Sequence, residues 1–185
     1  MFIQTEATPN PATLKFIPGK PVLPGGTREY RKAADALESP LAERLFGVSG
    51  VSGVFLGHDF ITVTKGGGEW QHLKPAILGT IMDHYLSGAP VLTDATVPAP
   101  EGEEFFADEH SDVVKTIKDL LESRVRPAVA QDGGDITFKG FKEGIVYLNM
   151  KGSCAGCPSS TATLKHGIEN LLRHFVPEVT EVRPV

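Results

Sequence analysis

The feature that most limits how this chain can fold is an acidic segment containing several prolines, which runs from residue 89 to residue 107. It carries four acidic side chains and no basic one, and its apolar residues follow neither a helical nor a strand period. This composition is typical of an extended linker whose charges repel one another. The segment therefore divides the 185 residues into a first domain at 1–88 and a second domain at 108–185. Alternatively, residues 101–110 form the start of the next helix, which leaves the division into two domains unchanged.

The first domain is predicted to mix strands and helices. Residues 14–16 and 60–64 alternate between apolar and polar side chains, as half-buried strands do. A serine precedes Pro40, a pair that is typical of a helix start. Apolar residues then recur every three or four positions from 70 to 85, which predicts a second helix, with Pro75 either at its true start or at a kink.

The second domain is predicted to follow the order helix, strand, strand, helix, strand. An apolar stripe over 113–125 is typical of an amphipathic helix. The glycine pair at 133–134 supplies a turn, and alternation on both sides of Gly144 predicts an antiparallel hairpin. A second stripe over 164–175 predicts another helix, and valines at 179–185 predict a last strand. The expected fold class is therefore α+β, with two small mixed α/β domains joined by the linker.

Charge, hydropathy and motifs exclude several classes of function. Outside the linker, basic and acidic side chains nearly balance, so neither domain carries the positive field that binding to nucleic acid requires. No apolar stretch reaches the roughly twenty residues of a membrane span. No catalytic triad, metallohydrolase motif or nucleophile elbow is present, so we do not expect an enzyme. Residues 1–6 match neither a secretory nor a transit pattern, and we expect the cytoplasm of a bacterium, or the mitochondrial matrix for a processed mature form.

The chain has two cysteines, Cys154 and Cys157, which lie three positions apart. A disulfide between them would close a loop too short to restrict the unfolded chain much, so they are not expected to act as a staple. Pro158 suits the first position of a helix, which places both sulfurs near the positive end of the helix dipole. We therefore predict that the pKa values of both thiols are lowered.

Two thiolates supply half of a metal site, because zinc and the common iron-sulfur clusters take four protein ligands. His166 and His174 are eight residues apart and lie along the following helix, so we expect them to be solvated or partly packed rather than ligands. A second copy of the chain, related by a two-fold axis, would contribute two more thiolates. Four thiolates favour an iron-sulfur cluster or zinc over hard cations.

Two other uses of the cysteine pair remain open at this point. The C-x-x-C spacing also suits thiol-disulfide exchange, although the predicted neighbours form an antiparallel hairpin rather than the parallel unit in which the redox motif usually occurs. A structural zinc site, or simple packing of the two thiols, is the remaining alternative. Asp132 and Asp135 flank the glycine pair, and we interpret them as ordinary turn residues.

Five segments of the sequence resemble one family. The Asp-Gly-Gly-Asp run at 132–135 and the segment 148–158, which contains Gly-Ser-Cys-Ala-Gly-Cys-Pro, resemble the C-terminal domain of NifU, the Nfu-type iron-sulfur scaffold. Pro-Asn-Pro at 9–11, the run at 14–19 and the run at 59–65 resemble the N-terminal domain of the same proteins. Together these segments extend over nearly the whole chain outside the linker.

The resemblance implies a carrier that binds a [4Fe-4S] cluster between two copies of the chain, with a [2Fe-2S] cluster as the alternative form. Cys154 and Cys157 take the ligand roles. The family's function implies upstream cluster-assembly proteins as donors and apo iron-sulfur proteins as acceptors. The longer NifU architecture has a further scaffold domain and more cysteines, and this sequence has neither.

Overall fold

The structure is a computed structural model that describes residues 1–24, 26–93, 104–155 and 158–185, and for 158–160 only the backbone. The chain separates into two compact units, residues 1–98 and 99–185. The predicted α+β class with two domains is confirmed. Most of the predicted linker lies outside the described residues, so its boundaries at 89 and 107 stay a prediction.

The first unit consists of a five-stranded antiparallel sheet packed against two helices. The strands have the spatial order β1-β2-β5-β4-β3. Their bounds are β1 Gln4–Ala7, β2 Thr13–Ile17, β3 Arg28–Tyr30, β4 Val51–Leu56 and β5 Ile61–Lys65, and the helices are α1 Pro40–Phe46 and α2 Trp70–Ser87. A 3-10 turn at Ala33–Ala36 precedes α1. Apolar side chains from both layers form the core of this unit.

Both helices of the first unit start as the sequence predicts. The Ser39 hydroxyl accepts a hydrogen bond from the Ala42 amide at 3.1 Å, which caps α1 next to Pro40. In α2 the Leu73 amide already bonds to the Glu69 carbonyl at 3.1 Å, so the first turn closes before Pro75. The alternative in which Pro75 begins this helix is therefore wrong.

His84 is a histidine of α2 whose side chain is fully buried. Within the described part of the chain, neither of its ring nitrogens has a partner in good hydrogen-bond geometry. Burial, together with the nearby charge of Arg44, lowers the pKa of His84 below its ordinary value of 6.5, and a weaker interaction with the Ala89 backbone opposes this shift. The first unit therefore favours the neutral imidazole.

This burial predicts that acid weakens the fold. Because the pKa of His84 is lower in the folded chain than in the unfolded chain, the unfolded chain binds more protons as the pH falls below about 6.5. We expect the free energy of unfolding to decrease from pH 7.5 to pH 5, as measured by urea unfolding of the full chain. His84→Met should reduce this decrease, whereas His72→Gln, on an exposed position of the same helix, should leave it unchanged. An identical decrease in His84→Met would contradict the assignment.

The second unit contains a three-stranded sheet in the order β6-β7-β8. The hairpin of β6 and β7 is antiparallel, and β8 adds parallel to β7. The elements are α3 Ser111–Leu120, a π-helical turn at Leu121–Val125, α4 Arg126–Gln131, β6 Gly134–Lys142, β7 Ile145–Gly152, α5 Pro158–Phe175 and β8 Glu181–Pro184. The predicted order of helix, strand, strand, helix and strand is confirmed, and apolar side chains from the sheet and the helices form one core.

The first helix of the second unit is longer than predicted and contains an irregularity. The predicted stripe at 113–125 continues through the π-helical turn into α4. Pro127 lacks the amide hydrogen that a regular helix would donate to residue 123, so the hydrogen-bond ladder changes just before it. The π-helical turn ends at Val125, and Arg126 begins α4.

Residues at the end of the predicted linker contact the second sheet. The Phe105 amide donates to the Lys139 carbonyl at 3.2 Å, and the Phe105 carbonyl accepts from the Phe141 amide at 2.9 Å. A side chain at Gly140 would collide with the Phe105 ring, since a Cβ there would lie 2.4 Å from it. Phe105 thus extends the sheet beside β6 by a single parallel bridge.

Candidate functional site

The described cysteine, Cys154, lies two residues beyond the end of β7. The strand ends at Gly152, whose φ of 69° turns the chain, and the Ala155 amide donates back to the Gly152 carbonyl at 3.1 Å. Cys154 is 6% exposed and belongs to the core of the second unit. Cys157 lies outside the described residues, and α5 starts at Pro158, as the sequence predicts.

The glycine pair of the turn at the start of β6 is in direct contact with this cysteine. Gly133 has a φ of 80°, a conformation that other residues rarely adopt. A Cβ on Gly134 would lie 2.6 Å from the Cys154 Sγ and 2.8 Å from the Lys151 carbonyl oxygen. The sulfur therefore packs against the bare Cα of Gly134. The two glycines are needed for different reasons, one conformational and one steric.

Three hydrogen bonds hold the backbone on both sides of Cys154. The amide of the buried Ser153 donates to the Gly133 carbonyl at 3.3 Å, and its hydroxyl donates to the Asp132 carbonyl. On the other side, the Thr161 hydroxyl in the first turn of α5 donates to the Cys154 carbonyl at 2.9 Å. The cysteine is thus fixed between the glycine turn and the start of α5.

An ion pair lies behind the glycine turn. The buried carboxylate of Asp135 contacts Arg126 through both oxygens, with Nε–Oδ1 and Nη2–Oδ2 distances of 2.9 Å each. The Ile136 amide also donates to Oδ1 of Asp135 at 2.9 Å. Arg126 reaches Glu122 through Nη1 at 2.7 Å. The hydrogen bond to Asp135 raises the pKa of Arg126, so the guanidinium stays charged.

The sequence interpretation missed Arg126 and Thr161. Asp135 fits its interpretation as a structural residue, but its partner is nine residues away, on the other side of the glycine turn. No local spacing rule pairs these two residues, because they lie on different elements, α4 and β6, which meet only in the folded unit. His166 and His174, in contrast, are both exposed on α5, as expected from the sequence.

The prediction of a lowered thiol pKa is wrong for Cys154. Burial raises the pKa of this thiol from 9.0 to about 11. A hydrogen bond with Ser153 opposes the rise, and the charges of Asp132 and Asp135 add to it. The sequence interpretation assumed that both cysteines lie at the positive end of α5, whereas Cys154 is buried before the helix begins. A metal that binds this sulfur must therefore displace a firmly held proton.

A thiol-modification experiment tests this placement. In the Cys157→Ser variant, which leaves Cys154 as the remaining thiol, we expect iodoacetamide to react at pH 8 about a hundredfold more slowly than with free cysteine. Two effects slow this reaction: the fraction of thiolate is small, and the sulfur is covered by the surrounding chain. The same variant unfolded in urea should react at the rate of free cysteine. Equal rates for the folded and unfolded chains would contradict the burial of Cys154.

Nowhere in the described ranges do three or more His, Cys, Asp or Glu side chains converge as a metal site would require. Among the helices that the structure describes, none combines the length and apolar composition needed to cross a membrane.

Comparison with known proteins gives matches over most of the chain. The family described as "Scaffold protein Nfu/NifU N terminal" matches residues 3–88, and the family described as "NifU-like domain" matches residues 117–183. A human protein named "NFU1 iron-sulfur cluster scaffold homolog, mitochondrial" is 53% identical over 187 aligned positions, and the alignment covers 100% of this chain and 72% of the human protein.

Two further relatives also match all or nearly all of this chain. The protein of the same name from Drosophila sechellia is 49% identical, with 100% of this chain and 65% of the fly protein covered. "NifU-like protein 4, mitochondrial" from Arabidopsis thaliana is 49% identical, with 98% of this chain and 65% of the plant protein covered. The chain therefore spans slightly less than two thirds of the length of these two relatives.

Proposed function

Because this chain belongs to the Nfu family of iron-sulfur cluster scaffold proteins, we propose that it binds an iron-sulfur cluster as cargo and passes it to apo iron-sulfur proteins. The observation that carries the proposal is the position of Cys154, whose sulfur packs against Gly134 and whose backbone carbonyl accepts a hydrogen bond from Thr161 at the start of α5. Cys157 completes the C-x-x-C pair of the sequence.

The cluster is held between two copies of the chain. Each copy supplies Cys154 and Cys157, and an iron-sulfur cluster takes four thiolates. A two-fold axis near the cysteine pairs provides the remaining two ligands without another ligand from the same chain. The cluster is of the [4Fe-4S] type, with [2Fe-2S] as the second candidate.

A cluster shared across two copies suits transfer. Thiolates of an acceptor protein can replace the four cysteine ligands one at a time, whereas a cluster enclosed by one chain would be harder to release. The chain performs no catalysis of its own in this role. Its partners are upstream cluster-assembly proteins, apo acceptors and a second copy of itself. The names of the relatives include the word mitochondrial, which fits the matrix, the second of the two locations expected from the sequence.

Anaerobic reconstitution tests this function against its rivals. After incubation of the full chain with iron and sulfide, we expect a coloured protein with about four irons per two chains and the mass of a dimer. A colourless protein with a reversible two-electron disulfide would instead support a thiol-disulfide redox protein. Stoichiometric zinc with no bound iron would support a structural zinc module.

A further inference from the structure

The ion pair of Arg126 and Asp135 lies next to the stretch of backbone that contacts the Cys154 sulfur. Asp135 directly follows Gly134, the residue whose Cα packs against the Cys154 sulfur. The Asp135 side chain is 6% exposed, and both of its oxygens contact the guanidinium of Arg126. The pair therefore connects the start of α4 to the strand residue next to the sulfur contact.

The geometry of this ion pair fixes the orientation of the Asp135 carboxylate. A buried ion pair contributes little net stability compared with apolar side chains of the same size. Its two parallel hydrogen bonds, however, set the plane of the Asp135 carboxylate, and one carboxylate oxygen also accepts the Ile136 amide. The carboxylate thus holds the backbone at the beginning of β6 in one position.

The contact between Gly134 and Cys154 transmits that position to the sulfur. With a Cβ on Gly134 only 2.6 Å from Sγ, no free space separates this backbone from the thiol. The loop that carries Cys154, residues 153–155, is called the cysteine loop, and the Ser153 amide attaches it to the same turn through the Gly133 carbonyl. A shift of the backbone at 134–135 must therefore move the sulfur or uncover it.

We propose that Arg126 and Asp135 are positioning residues for Cys154, which hold the glycine turn against the sulfur so that the thiol keeps its place for the cluster. The proposal rests on the proposed function for the identity of the cargo. Glu122 holds the outer side of the Arg126 guanidinium at 2.7 Å and serves as a secondary support.

The test measures how accessible Cys154 is in the metal-free full chain. In the Cys157→Ser background, Arg126→Lys keeps the positive charge but removes the planar fork that contacts both oxygens. We expect iodoacetamide to react with Cys154 at least tenfold faster than in the parent at one fixed pH. Arg124→Lys is the matched control, because this arginine lies two residues earlier, in the π-helical turn that precedes α4, and its guanidinium lies over the Phe175 ring instead.

A second control separates positioning from general stability. Ile117→Val, in the core on α3, loosens the same unit at a residue that belongs neither to the glycine turn nor to the segment around Cys154. If Arg126→Lys reacts no faster than an Ile117→Val protein with an equal loss of thermal stability, the proposal is overturned. A tenfold difference between the two at equal stability supports it.

A double variant covers the case in which Arg126→Lys does not fold. Arg126→Gln with Asp135→Asn removes both charges together and leaves no unpaired buried ion. We expect the circular dichroism spectrum of the parent and a Cys154 reaction at least tenfold faster. A folded double variant with the slow reaction of the parent would refute the positioning role.

A cluster measurement links this inference to the cargo and keeps the two proposals distinguishable. With Cys157 restored, we expect the reconstituted Arg126→Lys protein to lose its cluster to a chelator at least tenfold faster than the unmodified chain. Unchanged cluster loss would overturn positioning for the cluster. If the unmodified chain takes up no cluster, the proposed function fails, and the thiol reaction alone then decides the positioning role.

Discussion

Replacing Gly134 with alanine is expected to reduce cluster retention at least tenfold. The added methyl group would lie 2.6 Å from the Cys154 Sγ and 2.8 Å from the Lys151 carbonyl oxygen. The second contact is with the backbone of a paired strand, which cannot move without disturbing the hairpin, so the cysteine loop must shift. The φ of Gly134 is not positive, so the effect is steric and not conformational. Overpacking of this kind also lowers the free energy of unfolding by about 1–3 kcal/mol.

Gly167→Ala is the matched control for this prediction. Gly167 lies inside α5, and a Cβ there would meet nothing within 4 Å. Alanine at this helix position should raise the free energy of unfolding by about 0.5–1 kcal/mol and leave the cluster in place. Reconstitution followed by iron analysis and thermal melting of both variants provides the comparison. Full iron content together with an unchanged melting temperature in Gly134→Ala would contradict the contact with the sulfur.

The second unit follows the sequence closely because its elements are strongly periodic. The stripe at 164–175 lies within α5, and the alternation around Gly144 becomes the β6–β7 hairpin. The hairpin turn places Glu143 and Gly144 at φ values of 54° and 77°, the left-handed conformations that a tight hairpin requires. Local side-chain patterns thus determine these elements.

Three strands of the first unit were not predicted, namely β1, β3 and β4. β1 reads Gln-Thr-Glu-Ala and lies at the sheet edge, so it shows no apolar alternation. β3 has three residues, and β4 contains an irregularity between Val51 and Gly53. Such strands form because neighbouring strands satisfy their backbone hydrogen bonds. This pairing cannot be predicted from the pattern of side chains.

In the candidate site, too, some features follow from local sequence and others depend on residues that are distant in the sequence. The cysteine spacing and the glycine pair are visible in the sequence, but the contact between Gly134 and Cys154 is set by the pairing of Gly134 with Gly152. The predicted direction of the Cys154 pKa shift was wrong because the sulfur is buried before α5 begins, and this burial raises the pKa. A rise from 9.0 to about 11 corresponds to about 3 kcal/mol, whereas a charge near a helix end gains about 0.3–1 kcal/mol.

Replacing either cysteine with serine is expected to have the largest effect on the cargo, with cluster retention at least a hundredfold lower. Each substitution removes two of the four thiolates from a paired site, because both copies carry it. A serine hydroxyl stays protonated and is a hard oxygen donor, which iron-sulfur clusters do not favour. At the buried position of Cys154, serine also costs about 1–3 kcal/mol of stability, which the apo-protein should tolerate.

Mass in solution then shows whether two chains share the cluster. The reconstituted unmodified chain should have the mass of two chains, and both serine variants should lose the fraction of dimer that depends on iron. Circular dichroism of the metal-free variants, expected to match that of the unmodified chain, rules out unfolding as the cause. Since one chain has two cysteines, a monomer that retains four irons after removal of excess metal would show that ligands other than a second copy complete the site. That result would end the case for a cluster shared between copies.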